Sequence, residues 1–587
     1  MQAHTHTPGA GHVTYDLDPA SEWRFELEEN EALAVRVLSP DPVFINSQEI
    51  PPNTWYPLYG DLKAVIWSPL PGGRIEVSSA PSTCYESTSS TFPFLTNLHL
   101  ALERRRILAR RAIRARKARN NKTTTAPGAN GHDADADADA DLEAGPRVMV
   151  LGPANAGKST MIKNLVNLAL GSGMGWAPVV VSLDPSNSPH LVPGSLSLST
   201  PTQTAPTHHP SHYLGSPPTT SAATTLASDV PTVGWYVGTS ELAGAGTHKT
   251  CFPLWSRIIG SMQDAWEQRR EKDDICRASG VFIDTASAMT LPTLGAPKGS
   301  NVRYGLVREA AEAFDVDVMV VIGNEKLTIE MQKMFTKNGV TVISAPKSGG
   351  VVELDETYRN RIKSQQTKTY FYGEPPLPPS LAELPGRMVA MEANLHPHSF
   401  TVSWDDLEIY RIGEETAAPS SALPMGSTRV LSATRLTKVD PSAPASVHRL
   451  QNAVVGLVIV SDADKREDLQ TGPDGGVDGV KQEETTDTGD VPEAVKHESE
   501  APPKTEENGE SVKEETDAAE AEVEEEEGEE DGEPIWKEEI GWREVCGFLT
   551  ITKIDTVKRK YELLTPSPGR LPSRVAIVGS VEWVEDM

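Results

Sequence analysis

Residues 147–160 read RVMVLGPANAGKST. A short apolar run, Val148–Leu151, enters Gly152-x-x-x-x-Gly157-Lys158-Ser159, and an apolar-periodic stretch, Met161–Leu170, follows. Strand, glycine-rich loop and helix in that order form a phosphate-cradling loop. The two glycines let successive backbone N–H groups turn toward a polyphosphate, and the helix N-terminus adds its positive dipole end. In this pattern Asn155, Ala156, Gly157, Lys158, Ser159 and Thr160 contact the phosphates. Lys158 neutralises the β- and γ-phosphates, and the Ser159 hydroxyl ligates Mg²⁺. A chance glycine-rich turn would explain the spacing, but not the preceding strand, the Lys-Ser pair and the following helix together. The stretch predicts a nucleoside triphosphate site.

Such a site also needs an acidic group that fixes the metal from the end of a neighbouring strand. Asp184, after VVVSL, and Asp284, after GVFI, both stand where an apolar run ends. Ligands collect at that edge of a parallel sheet. Either aspartate alone reads equally well as a turn or helix cap. Beside Lys158 and Ser159, one of them is expected to hold the metal or a metal-bound water, and Asp184 with Ser159 is the expected Mg²⁺ pair.

Around the loop, residues 147–385 alternate strand and helix patterns. The strand candidates are Val148–Leu151, Val179–Leu183, Gly280–Ile283, Val318–Ile322 and Val340–Ile343, with helices at Trp255–Lys272, Arg303–Phe314 and Leu327–Asn338. Alternation of this kind implies a parallel sheet with right-handed crossovers. The Ser/Thr/Pro-rich stretch 200–232 reads as a disordered insertion outside that sheet.

Upstream, Trp23–Leu27, Ala32–Leu38, Val43–Ile45, Lys63–Trp67 and Ile75–Val77 recur every 8–15 residues between Asn, Pro and Gly. That spacing suggests an antiparallel β domain within residues 1–90, placed to close over a nucleotide base. Residues 91–146 join the two domains. They hold a helix from Leu95 running into Arg104–Arg119, RRRILARRAIRARKAR, and then the low-complexity HDADADADADL. The basic run reads first as a solvated helix face or tail, with nuclear import and RNA-backbone contact as alternatives.

Residues 386–587 return to β character at Arg387–Met391, Thr401–Trp404, Ile409–Ile412 and Val454–Val460, and again at Gly547–Ile554, Lys560–Leu564 and Arg574–Val584. Neither half has enough strands for a stable core, so the reading is one β-rich domain split by a disordered acidic insertion at about 463–535. Lys481–Ile535 carries −19 of the formal net charge of −29, so overall acidity says little about the folded domains. The fold class expected is α/β: a central P-loop parallel sheet flanked by N-terminal and C-terminal β domains, with long disordered insertions.

Cys84, Cys251, Cys276 and Cys546 lie far apart, in no metal-ligand spacing, and read as free thiols of a reducing compartment. The first 30 residues lack a signal-peptide core and no apolar run approaches 18 residues, so no membrane partner is expected.

Several motifs carry a resemblance to a known family. GPANAGKST, the strand ending in LDP, the IDT triplet, FDVDVMVVIGNEKL, PKSGGVVE and TYFYG occur in succession. Together they resemble the polynucleotide 5′-hydroxyl-kinase family, specifically its mRNA cleavage and polyadenylation factor branch. SEWRFELEENE at 21–31 and LKAVIW at 62–67 are similar to that family's N-terminal β-sandwich-like domain, and residues 547–572 to its C-terminal domain. The resemblance covers nearly the whole chain apart from the linkers. It implies that ATP is the nucleotide, and that Glu22 and Lys63 contact its base and ribose; from the residues alone each would be an ordinary surface charge.

The departures from the family pattern bear on activity. Active members carry DxxQ after the second strand; here it is Asp184-Pro185-Ser186-Asn187. They also carry a TxGW clasp whose Trp stacks on the acceptor's terminal base, and here the stretch is Thr285-Ala286-Ser287-Ala288. Base–aromatic stacking is worth about 1–3 kcal/mol per base, and in-line phosphoryl transfer depends almost wholly on positioning. Two lid arginines of active members have only Arg359 and Arg361 as counterparts, at a spacing that does not match cleanly.

The losses resemble the fungal branch. They imply a degenerate kinase that retains ATP and Mg²⁺ and acts as a structural subunit of the nuclear pre-mRNA 3′-end cleavage and polyadenylation machinery. Its partner would be the cleavage-factor subunit that also contacts the RNA polymerase II C-terminal domain, with RNA as a further ligand. The alternative is an active polynucleotide 5′-hydroxyl kinase in which Lys158 and Asp184 are catalytic.

Overall fold

The computed structural model describes residues 11–123, 143–211, 214, 230–242, 251–294, 303–373, 375–388, 396–412, 434, 436–464, 537–566 and 570–585. The HDADADADADL run, most of the acidic insertion and most of 212–229 lie outside them.

The N-terminal segment forms two antiparallel sheets packed face to face. One joins Val13–Leu17, Gly73–Val77, Ala32–Val37 and Tyr56–Tyr59; the other joins the short pair Phe44–Ile45 and Gln48–Glu49 to Lys63–Ser68, Ser21–Glu26 and Thr83–Ser87. Trp23, Phe25, Val35, Ile66 and Val77 fill the space between them.

The five expected parallel strands are present, in the order Thr341–Ala345, Val318–Ile322, Arg147–Leu151, Val281–Thr285, Val179–Leu183. All but the outermost are buried along nearly their full length, as strands covered by helices on both faces must be. Two further strands, Ser195–Ser199 and Thr232–Tyr236, extend the sheet antiparallel. They were not expected, because SLSLS has too little apolar content to read as core. The Ser195 hydroxyl resolves this in part by donating to the Val192 carbonyl at 2.5 Å, while the Ser199 hydroxyl is buried without a hydrogen-bond partner. Thr232–Tyr236 then meets Val545 of the C-terminal β region at Gly234. There Ala453–Val458 lies between Val545–Asp555 and Val575–Glu582, so strands from before and after the acidic insertion share one sheet.

Two expectations change. The basic run is free on one side only. The helix Phe92–Thr123 lies against Asp274–Ser279 and the P-loop helix Lys158–Gly171, with several arginines turned inward. Arg106 is fully buried and donates to the Ser279 carbonyl at 3.0 Å; Arg105 pairs with Asp317 at 2.5 Å. Arg110 donates to the Met174 carbonyl at 2.9 Å and covers the Trp176 ring.

The second change concerns 200–232, whose first twelve residues are an ordered strap rather than a loose insertion. Ala205 and Asn167 exchange hydrogen bonds at 2.8 and 3.2 Å, and Lys163 donates to the Pro206 carbonyl at 2.7 Å. On the sandwich side, the Thr207 N–H donates to the Tyr56 hydroxyl at 2.7 Å and the Tyr59 N–H to the His208 carbonyl at 3.0 Å. Polar sequence is held here by these partnered groups, although His208 Nε2 is buried without a hydrogen-bond partner.

His208 is buried in this strap, 2.7 Å from the Pro57 carbonyl, with its ring 4.4 Å from that of Tyr56. Burial pushes its pKa down to about 4. The folded value lies below the unfolded one, so the unfolded chain binds the extra proton between about pH 4 and 6.5. Stability therefore rises with pH across that window and is lost as pH falls through it. The midpoint of chemical denaturation should drop between pH 6.5 and 4.5, with about 2–3 kcal/mol of the loss traceable to this ring. A His208→Gln protein should show a correspondingly flatter profile; an unchanged slope would assign the acid sensitivity elsewhere.

Candidate nucleotide-binding site

The strand Arg147–Leu151 delivers the chain to Gly152 at the sheet edge, and the helix Lys158–Gly171 begins six residues later. Asn155 and Gly157 take positive φ values of 54° and 88°, which coils the loop. A Cβ at Gly152 would sit 3.2 Å from the Ala156 Cβ and 3.3 Å from the Ile322 carbonyl oxygen, so that position is tight for any side chain. No acidic residue occupies the first helical turn, leaving the dipole end positive.

Lys158 is 8% exposed, and its ammonium donates to the Gly152 and Pro153 carbonyls at 3.2 and 3.1 Å. Burial lowers its pKa, while the carboxylates of Asp284 and then Asp184 oppose the shift. The Ser159 hydroxyl donates to Asp284 Oδ2 at 2.6 Å. Asp284 is 1% exposed and belongs to the strand paired directly with the P-loop strand, opposite Val150. Asp184 stands one strand further out, and its Oδ1 accepts from the Ser186 N–H at 3.0 Å and hydroxyl at 2.6 Å. Of the two expected aspartates, then, Asp284 is the one against Ser159, while Asp184 caps its own turn within Coulombic reach of Lys158.

A cavity of about 310 Å³ opens beside the loop, between the sandwich and the central sheet. Asn155, Ala156, Gly157 and Thr160 form its floor. The sandwich contributes Glu22, Arg24, Phe44, Lys63, Trp67 and Tyr85, and the segment after the outermost parallel strand contributes Ser348, Gly350, Val351 and Tyr358. Trp67 stacks on Phe92 at 3.7 Å between centroids and makes one wall aromatic.

Glu22 and Lys63 are thus both at the cavity, but neither is a loose surface charge. Arg24 donates from Nε and Nη2 to Glu22 Oε2 at 2.9 and 2.7 Å, and the Ser90 hydroxyl donates to Oε1 at 2.5 Å. Lys63 pairs with Glu26 at 2.9 Å and lies 5.8 Å from the Tyr358 ring centroid. Sequence reasoning missed Arg24, Tyr358 and Phe92. Arg24 lies within SEWRFELEENE and Tyr358 between PKSGGVVE and TYFYG, whereas Phe92 carries no such signal.

The helix Glu356–Tyr372 separates the two lid arginines. Arg359 donates to Asn155 Oδ1 at 2.9 Å, whereas Arg361 pairs with Glu29 at 2.8 Å and with Asp61 of the sandwich. On the acceptor side, Ser287–Thr290 is a short 3₁₀ turn with Ala286 and Met289 buried in the core beneath the sheet. Gln366, from the same helix as Arg359, donates to Asn187 Oδ1 at 2.8 Å.

Comparisons with known proteins agree with this architecture. Residues 152–373 match the family model described as mRNA cleavage and polyadenylation factor CLP1 P-loop, and residues 16–109 the N-terminal beta-sandwich domain of polyadenylation factor. Residues 395–473 and 515–585 match pre-mRNA cleavage complex II protein Clp1.

The chain is 46% identical to the mRNA cleavage and polyadenylation factor CLP1 of Cryptococcus neoformans var. neoformans serotype D, over 97% of each chain. It is 32% identical to that of Laccaria bicolor, over 97% of this chain and 98% of the relative. A chain of a solved Clp1p–Pcf11p complex shares the fold, with a TM-score of 0.63 at 18% identity over 99% of this chain and 100% of that one. By these matches, the chain belongs to the mRNA cleavage and polyadenylation factor CLP1 family.

Proposed function

We propose that this protein is an ATP-bound structural subunit of the nuclear machinery that cleaves and polyadenylates pre-mRNA, bridging other cleavage-factor subunits. The observation that carries the reading is the position of the cavity. Its floor is the P-loop and its wall is the sandwich, so a nucleotide there ties the two together. Lys158 and the backbone of residues 155–160 would hold the phosphates, and Glu22 and Lys63 would face the base and ribose. Ser159 and Asp284 supply the hard oxygen donors that suit Mg²⁺. Among the described residues no group of three or more His, Cys, Asp or Glu is gathered. Phosphate oxygens and water would complete the shell, as is usual for this ion.

The acceptor side supports a structural role. The Ser287–Thr290 turn turns Ala286 and Met289 into the core, and Asn187 is engaged by Gln366. Among the described residues, that turn offers a polynucleotide end no aromatic platform. The solved relative is a Clp1p–Pcf11p complex, and a second, at a TM-score of 0.62, is described as explaining ATP loss in a point mutant. By likeness, the partner here is the corresponding cleavage-factor subunit, the one that contacts the RNA polymerase II C-terminal domain. Among the described residues no helix is long and apolar enough to cross a membrane.

The test is to denature the purified protein and chromatograph what it releases. About one ATP per chain, still a triphosphate after purification, is the expected result. ADP or an empty site would mean turnover or exchange, and transfer of a labelled γ-phosphate to a 5′-hydroxyl RNA would replace this reading with that of a working kinase. A Ser287→Gly/Ala288→Trp protein should remain inactive, because the turn packs its neighbours into the core.

A further inference from the structure

We propose that the outer face of the helix Phe92–Thr123 is an RNA-backbone contact, separate from the nucleotide cleft. Nine basic and no acidic side chains lie in Arg104–Arg119. The structure divides eight of them. Arg105, Arg106, Arg110, Arg116 and Lys117 turn toward the body, where they meet Asp317, Glu103, backbone carbonyls, Glu143 and Asp274. Arg104, Arg111 and Arg114 are exposed, with no hydrogen bond or ion pair among the described residues.

Among the described residues, no acid pairs with these three. Arg110 is held by carbonyls and the Trp176 ring, and the positive charge of Arg114 adds to burial in lowering its pKa. Glu143, buried to 2% exposure, is shared by Arg116 at 2.8 Å and Arg277 at 3.0 Å, two cations on one carboxylate. An excess of positive charge therefore stands on one face of a chain whose net charge is −29.

The arrangement fits a phosphodiester strand. Seven residues separate Arg104 from Arg111, two helical turns and about 10 Å along one side, and Arg114 lies one turn on. Guanidinium groups present a planar fork that pairs with phosphate oxygens, and a docked helix has already lost the freedom a flexible basic tail would give up on binding. Among the described residues no exposed aromatic accompanies them on this face, so bases would not be stacked and the contact would be sequence-tolerant. An import receptor that reads an extended basic peptide is a poorer fit, since this segment is helical and anchored through its inward arginines.

The test uses the full chain with a fluorescent 20-nucleotide oligouridylate, followed by anisotropy over a range of salt. An Arg104→Gln/Arg111→Gln/Arg114→Gln protein is compared with Lys326→Gln/Lys333→Gln/Lys337→Gln, which removes the same charge from an exposed stretch elsewhere. The ridge variant should bind about tenfold or more weakly at low salt. The slope of log K against log salt should become shallower by about 2, the value for three lost phosphate contacts on a single strand. The control should stay near wild type. Equal losses in both variants, no loss in the ridge variant, or no binding by wild type at low salt would each overturn the assignment. Nucleotide released on denaturation should be the same in all three proteins, so this result stands apart from the structural-ATP reading, on which it does not depend.

Discussion

A Lys158→Ala protein should bind ATP at least about a hundredfold more weakly than wild type. The ammonium is buried in the loop and held by two carbonyls, the Gly152 and Pro153 oxygens. It is the one side-chain cation of the loop itself, and charge-assisted hydrogen bonds to phosphate contribute about 1.5–3 kcal/mol each. Losing two of them accounts for a factor of a hundred or more in affinity. The effect should reach beyond the site. A ligand held at a thousand times its Kd stabilises the state that binds it by about 4 kcal/mol. Wild-type protein should therefore melt higher as ATP is added, and the variant should not respond at the same concentrations. Calorimetric titration of nucleotide-free protein gives the affinity, and a thermal melt with and without ATP gives the linkage. Undiminished ATP in purified Lys158→Ala protein would remove the P-loop from the account altogether.

The same loop shows why part of this structure was legible in the sequence. A phosphate cradle is local: strand, turn, lysine and helix lie within 25 consecutive residues, and no distant partner is needed to recognise them. The five parallel strands were legible for a similar reason, since strands covered on both faces read as short continuous apolar runs. Choosing between Asp184 and Asp284 required strand order. Val179–Leu183 comes first in the chain, yet Val281–Thr285 lies between it and the P-loop strand, and no local pattern reveals that insertion. The strap was hidden differently. PTHHPS has the composition of a loop, and its burial depends on Asn46, Tyr56 and Tyr59, some 150 residues earlier. The arginine run reads as uniform in sequence, and only its tertiary partners, acids, carbonyls and the Trp176 ring, sort it into an anchored and an exposed side.

The helix Glu356–Tyr372 gives the cleft its reach. From one end to the other it touches Asp61 through Tyr358 at 3.0 Å, the P-loop through Arg359, and Asn187 through Gln366. Near its end the Tyr370 hydroxyl accepts from the Phe548 N–H at 3.0 Å, and Phe371 stacks on Trp583 at 5.6 Å. Sandwich, P-loop and C-terminal strands are thus fastened to one rod. A nucleotide in the cavity adds its binding energy where two of those attachments meet.

Glu22→Ala should cost about 3–5 kcal/mol of folding stability, for a reason unrelated to nucleotide chemistry. Glu22 and Arg24 side chains are 5% and 7% exposed, and their pair joins the sandwich to the segment after the outermost parallel strand. Arg24 packs so closely on Gly349 and Gly350 that a Cβ at either would come within 3.1 Å of it. Removing Glu22 strands a buried guanidinium with the Ser89 carbonyl, 2.5 Å away, and the Tyr85 hydroxyl as its remaining partners, neither of them an anionic carboxylate. Breaking one partner out of a buried pair carries a penalty of this size, whereas removing both partners is far milder. Arg24→Leu placed in the Glu22→Ala background should therefore restore part of the loss, and the double-mutant cycle should give a coupling above 1 kcal/mol. Denaturation should be measured without nucleotide, so that the pair's own contribution is read. Repeating it with saturating ATP then shows whether Glu22 also contacts the ligand, because the gap between variant and wild type widens only in that case. A Glu22→Ala protein as stable as its parent would mean that water reaches Arg24 and that the pair is ornamental to the interface.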